Sequence, residues 1–168
     1  MFQDEARFGR INKPRKCWAP KGVRPIVKSQ IIRQYTYSYG AFSPKDGDCT
    51  LLILPSMTNK AMEAFLEELS TRHKNEFIFL ICDKAPNHRK TGVKIPENIL
   101  LFHLPPYSPE LNPPEHIWDD MREKFFSNKA FNSMDAVEDK LIEASLFYEN
   151  NPDIVKSIAG FDWIVNTL

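Results

Sequence analysis

Asp83 ends the most hydrophobic run of the chain, Phe77–Cys82 (FIFLIC), where a carboxylate is either costly or useful. Desolvating an unpaired charge costs several kcal/mol. Two more acids invite the same question. Asp4 sits in the opening run FQDEAR, and Glu115 follows Asn112-Pro113-Pro114 at the start of a helical apolar pattern. Each has an ordinary structural reading. Asp83 can cap the turn DKAPN, Asp4 can be a solvated edge residue paired to Arg7, and Glu115 can close a capping box with Asn112. Together they also match a chemical requirement. Phosphoryl transfer on a nucleic acid backbone uses two divalent ions about 3.5–4 Å apart, one at the attacking and one at the leaving oxygen. Magnesium takes hard oxygen ligands and keeps several waters, so a few carboxylates on rigid elements suffice. An Asp on the first strand, an Asp ending the fourth and an acid at a helix start converge if strands one and four are neighbours.

The elements that must position these acids follow from the apolar pattern. FQDEAR reads as a short strand, and a Pro/Lys/Arg-rich connection follows through Lys13–Pro25. Ile31–Phe42 (IIRQYTYSYGAF) is rich in β-branched and aromatic residues and predicts a long strand. After the turn PKDGD, Cys49–Leu54 (CTLLIL) returns as its hairpin partner. Asn59 is the expected cap of a helix with Met62, Phe65, Leu66 and Leu69 on its inner face. Phe77–Cys82 and Ile99–Leu104 then read as strands, the first buried on both faces. Five prolines between Pro105 and Pro114 make LPPYSPELNPP stiff and extended. Asn112 is the expected cap of the next helix, with Pro113 at its first position and Ile117, Trp118, Met121 and Phe125 inward. A further helix begins near Ser133, with Met134, Val137, Leu141 and Ala144 inward, and Trp163 docks a short last one. The order β-β-β-α-β-β-α-α predicts an α/β fold: a mixed five-stranded sheet, three antiparallel strands then two parallel, flanked by helices.

The 168 residues fit one domain, with 42% hydrophobic and 26% charged residues. No apolar run approaches the roughly 18–20 residues of a membrane span, and the N-terminus lacks the apolar core of a signal peptide. Three cysteines, Cys17, Cys49 and Cys82, form no CxxC pair, which fits a reducing cytoplasm. Four histidines lack a paired ligand spacing, so any metal falls to carboxylates. The formal net charge of zero conceals a split. Residues 6–45 carry ten Lys or Arg and no acid, whereas residues 46–168 hold 20 acids and 12 bases. One face for a polyanion is one consequence, and solvated loops are the plainer one.

The segments FQDEARFG, CWAPKGVRP, ICDKAPNH and LPPYSPELNPPEHIW resemble the catalytic domain of the DDE transposases, in particular the bacterial insertion-sequence branch of the mariner-type superfamily. LPPYSPELNPPE is the most specific stretch, and the resemblance covers essentially the whole chain. It implies a ribonuclease-H-like fold with Asp4, Asp83 and Glu115 as catalytic, metal-binding triad. The implied cofactors are two Mg²⁺ ions, with Mn²⁺ as a substitute. The implied activity is cleavage of the phosphodiester at a transposon end, followed by attack of the freed 3′-hydroxyl on target DNA. Alternatives are a nuclease of the same fold without strand transfer, and an inactive remnant that binds DNA or protein. Lys13, Arg15, Lys16, Trp18, Lys21 and Arg24 would then line a DNA backbone groove, with Trp18 stacking on a base. Lys84 and His88 would stand beside the metal site, although His88 also reads as an ordinary surface turn residue. Glu5 and Glu110 are decoys: Glu5 points to the opposite sheet face from Asp4, and Glu110 fills a variable acidic position of the motif.

The sequence departs from the family pattern at three places. Lys84 replaces a common Asn, Pro114 replaces an aliphatic residue, and 31 residues separate Asp83 from Glu115, slightly short. Gly92 and Pro96 stunt any helix between those strands. The implied partners are transposon-end and target DNA, a second copy on paired ends, and no membrane; the implied location is the cytoplasm, at the nucleoid. The expectation for domains is one catalytic domain over residues 1–168. Helix-turn-helix domains that read transposon ends would lie outside this chain, encoded upstream.

Overall fold

A computed structural model describes residues 1–12, 14–83, 92–106 and 108–166. Five strands, β1 (Phe2–Ile11), β2 (Ile31–Phe42), β3 (Cys49–Leu54), β4 (Ile78–Cys82) and β5 (Ile99–His103), form one sheet in the order β3-β2-β1-β4-β5. The first three are antiparallel, and β4 joins β1 in parallel with β5 beyond it. The expected mixed sheet is therefore present, with β1 at its centre. The fold is ribonuclease-H-like.

Helix α1 (Asn59–Arg72) lies on one face, where Met62, Phe65, Leu66 and Leu69 bury against Tyr39, Ala41, Ile78 and Leu80. The opposite face carries α2 (Pro114–Met121), α3 (Met134–Glu149) and α4 (Pro152–Ala159), with a short α5 (Asp162–Val165) at the end. Their core joins Ile117, Trp118, Met121, Val137, Leu141 and Tyr148 to Ala6, Phe8, Phe42 and Leu51. Alternation along β1 sorts its side chains between these layers. Asp4, Ala6 and Phe8 share the α2 side, while Glu5 lies opposite Tyr39 on the α1 side. No helix among the described residues is long and apolar enough to cross a membrane. Cys49 and Cys82 are buried and free, and Cys17 is exposed and free.

Several local expectations need correction. Strand β1 is ten residues long and runs well past Arg7, because β2 pairs with it as far as Ile11↔Ile31, with a register shift between Gly9 and Ile11. Gly9 permits this: a Cβ there would fall 2.2 Å from the Gln34 carbonyl oxygen. The cap of α1 is Thr58, whose hydroxyl accepts from the Ala61 N–H, so Asn59 is the first helical residue. Strand β4 is buried on one face only. Phe77 and Phe79 are exposed, because the helices of the α2 layer pack over β1–β3. Helix α2 starts one residue late, at Pro114, with Pro113 at the cap position in helical conformation. Met121 leads into a π-turn, Arg122–Phe126, which carries the apolar stripe onward to Phe125 and Phe126. At the C-terminus Ile164 is the buried residue, while Trp163 is half exposed and stacks on Phe161.

Candidate active site

The parallel pairing of β1 with β4 runs Phe2↔Ile81 and Gln3↔Cys82, and the next residue on each is Asp4 and Asp83. Neighbouring strands lie about 4.8 Å apart, so the two acids leave the ends of the pairing on adjacent strands. Asp4 is therefore not a solvated edge residue. It sits on the central strand and is 8% exposed, and its proposed partner Arg7 lies over the Tyr35 ring instead. Asp83 follows the last residue of β4, and its carbonyl oxygen is 3.1 Å from His103 Nδ1 on β5. That contact anchors the strand end from the adjacent strand.

Glu115 is the second residue of α2 and is exposed. Its backbone N–H donates to the Asn112 carbonyl at 3.2 Å, and the helix start has no side-chain cap bond. The capping box, which would have given Glu115 a structural task, is not formed. Helix α2 crosses the Asp4 side of the sheet, and three residues beyond Glu115 its Trp118 donates an indole N–H to Asp4 Oδ2 at 3.1 Å.

The electrostatics tie the three acids together. The Asp4 carboxyl is pushed up to about 7 from 3.8, first by burial and then by the negative charges of Glu115, Glu5 and Asp83; a backbone N–H bond from Glu5 opposes the rise. Among the described residues no Lys or Arg pairs with Asp4. Nor, among them, do three His, Cys, Asp or Glu side chains stand close enough to enclose one metal ion. The donor set still suits a divalent cation: hard oxygens, one of them buried and kept from ionising by its neighbours, are what a cation would neutralise.

The decoys stay apart, Glu5 across the sheet and Glu110 exposed in a 3-10 turn at Pro109–Leu111. Lys13, Lys84 and His88 lie outside the described residues. Lys16, Trp18, Lys21 and Arg24 are exposed on the segment joining β1 to β2, with Trp18 fully so. Arg15 differs from them. Its guanidinium faces Asp119 and Glu123 at 3.7 Å each, and its backbone exchanges two hydrogen bonds with the Asn128 amide. It holds the base of the segment against the turn that follows α2.

Beside that base lies a cleft of about 570 Å³ whose lining includes Arg7, Arg15, Arg122 and Lys129 with Phe8 and Tyr35. It extends along the same strand and helix that carry Asp4 and Glu115, since Arg122 lies over the Phe8 ring. Phe8 is four positions along the strand from Asp4, about 13 Å. Arg7, Arg122 and Lys129 are not among the residues expected on a DNA surface, and Asp119 lines the cleft with them, 3.5 Å from Arg122. The signal was weak, because Arg122 and Lys129 lie in the acidic part of the chain. The sequence reading took Trp118 for core packing only; the residue is core, and it is also a donor to Asp4.

Comparison with known proteins adds an independent line. The model of a family described as DDE superfamily endonuclease matches residues 1–138. An uncharacterized protein of Sinorhizobium fredii, y4pE/y4sA, is 34% identical over 130 residues, which are 77% of this chain and 96% of that protein. Among solved structures, a pre-cleavage Mos1 transpososome matches with a TM-score of 0.64 at 16% identity, over 99% of this chain and 54% of the Mos1 chain. The Mos1 mariner paired end complex with Mn matches at 0.62 and 18% identity, again over 99% and 54%. At such identities the likeness concerns the fold. The chain spans about half the length of the Mos1 chains it matches.

Proposed function

The chain belongs to the DDE endonuclease superfamily, and on that footing we propose that it is the catalytic domain of a metal-dependent DNA transposase. The observation that carries the reading is that Asp4 and Asp83 each follow the last paired residues, Gln3 and Cys82, of adjacent parallel strands, with the charges of Glu115 and Asp83 both felt at Asp4. The Mos1 structures with Mn and with Mg support a divalent cofactor by analogy of fold.

Asp4, Asp83 and Glu115 would hold the cations. Bound there, they would supply Lewis acidity that activates the attacking oxygen and neutralises charge on the leaving one. The protein's part is placement. Asp4 is held by the central strand and by Trp118, Asp83 by the end of β4, and Glu115 by the first turn of α2, from which its charge acts on Asp4. In the proposed reaction water forms a new P–O bond at a transposon end as the bond to the 3′-oxygen breaks, leaving a 3′-hydroxyl; that hydroxyl then attacks a target phosphodiester and displaces the target's 3′-oxygen. Lys16, Lys21 and Arg24 would follow the DNA backbone, and Trp18 would stack on a base. A second copy on paired ends, and helix-turn-helix readers of those ends, belong to the same proposal.

Incubation of the chain with Mn²⁺, supercoiled plasmid and precut 3′-hydroxyl ends tests the reading. Joined products support a transposase. Nicks without joining leave a nuclease of the same fold, and neither product leaves a remnant that only binds. The basic segment has its own test. The combined replacement of Lys16, Lys21 and Arg24 by Gln is expected to weaken duplex binding and flatten its salt dependence. Each lost phosphate contact removes about 0.9 from the slope of log K against log salt, roughly 3 for all three. Fluorescence anisotropy across a salt series measures it, and an unchanged slope removes these residues from the DNA surface.

A further inference from the structure

We propose that Trp118 is a positioning residue whose indole N–H sets the orientation of the Asp4 carboxylate for binding a divalent cation, and that residue 40 is glycine to leave room for that indole. This rests on the metal-binding reading given above.

Three observations converge on it. The bond from Trp118 Nε1 to Asp4 Oδ2 is 3.1 Å long and joins residues 114 apart, and both partners are buried, at 1% and 8% exposure. An indole N–H is a donor only, and a buried one needs an acceptor. Packing against Phe8, Phe42 and Gly40 accounts for the ring carbons, so the nitrogen is the part of this side chain that packing does not explain. The rotation of an aspartate carboxyl is otherwise loosely determined.

Gly40 is the register partner of Asp4 across the β1–β2 ladder. A Cβ at Gly40 would fall 2.7 Å from Trp118 Cη2 and 2.6 Å from Phe42 Cε2. The indole therefore lies against bare backbone directly opposite Asp4. Phe8 and Phe42 hold it edge-on from two sides, with ring centroids 6.4 and 5.3 Å away and planes at 73° and 78°. Glu115 and Trp118 are three residues apart on α2 and so share a helix face. Seating Trp118 against Gly40 fixes the register of the helix that also presents Glu115.

The test replaces Trp118 by 3-benzothienylalanine, which keeps the ring shape and substitutes sulfur for the N–H. Mn²⁺ is titrated onto wild type and variant, each with duplex DNA present, and followed by the electron paramagnetic resonance of free Mn²⁺. The expected result is unchanged thermal melting with Mn²⁺ affinity lowered about tenfold, the lower end of what losing an outer partner of a metal ligand costs. Equal Mn²⁺ affinity in the two proteins overturns this inference and leaves the metal-binding reading standing. If wild type itself binds no Mn²⁺, both fall. Gly40→Ala provides a second arm. It should depress melting and Mn²⁺ affinity together, and adding Trp118→Phe, which leaves the Phe42 ring in the way, should restore no Mn²⁺ affinity. Recovery of Mn²⁺ affinity in that double variant would also overturn the role of the N–H.

Discussion

Asp4→Asn is expected to make the protein more stable at pH 8 while removing Mn²⁺-dependent nicking. The carboxyl is buried on the central strand and pushed up to about 7 by burial and by three neighbouring acids. In the unfolded chain it titrates near 3.8. Between those values the folded protein keeps a proton that the unfolded chain has released, so stability falls as pH rises through this window. Below the unfolded value both states are protonated and the penalty is absent. Above about 7 it is complete, on the order of 4 kcal/mol for a shift of this size. Urea denaturation without divalent ions should therefore show wild type losing stability between pH 5 and pH 8, by about 2.5 kcal/mol, the part of that window lying above pH 5. The Asn variant should lose much less. Adding Mn²⁺ at pH 8 should restore part of the loss in wild type alone, because a cation that binds only the folded state stabilises it by mass action. A flat wild-type profile across that range would mean that Asp4 ionises freely, and the crowding of acids around it would lose its meaning.

That crowding was only partly legible in the sequence. The apolar runs located β2 and β3 to the residue, and FIFLIC located the strand that ends at Asp83. Convergence of the acids required β1 and β4 to be neighbours, and they are. Periodicity reports which side chains are apolar, so it read Phe79 as buried and Trp118 as filler. Whether a strand face is covered depends on where helices from elsewhere in the chain come to rest. The helices of the α2 layer stop at β1, leaving Phe79 beside Phe102 in solvent. The bond between Trp118 and Asp4 spans 114 residues and has no local signature. Gly40, read as one residue of an aromatic strand, was its only trace. Glu115 shows the opposite case. The sequence offered it a local structural task in a capping box, and a one-residue shift of the helix start, with a proline at the cap position, removed that task.

Asp83→Asn is expected to lower nicking by more than about 100-fold, since losing even an outer partner of a metal ligand costs 10- to 100-fold. Asp83 follows directly on the residue that pairs with Gln3, so it is the acid the sheet itself places next to Asp4. Its backbone carbonyl is tied to His103, a contact the substitution leaves in place, and thermal melting of the variant checks that it folds. Removing a negative charge beside a DNA surface should leave duplex affinity equal or slightly tighter, which separates lost chemistry from lost binding. Glu110→Gln is the matched control. It removes the same charge from an acid of the proline-rich motif, one that is exposed in the 3-10 turn before α2. Nicking by the Glu110 variant should stay within about twofold of wild type, as for a surface substitution distant from the machinery. Equal losses in the two variants would mean that general negative charge on this face is what nicking needs. A loss confined to Asp83 would mean that the reaction depends on one sheet position, which is the distinction between an electrostatic surface and a metal site.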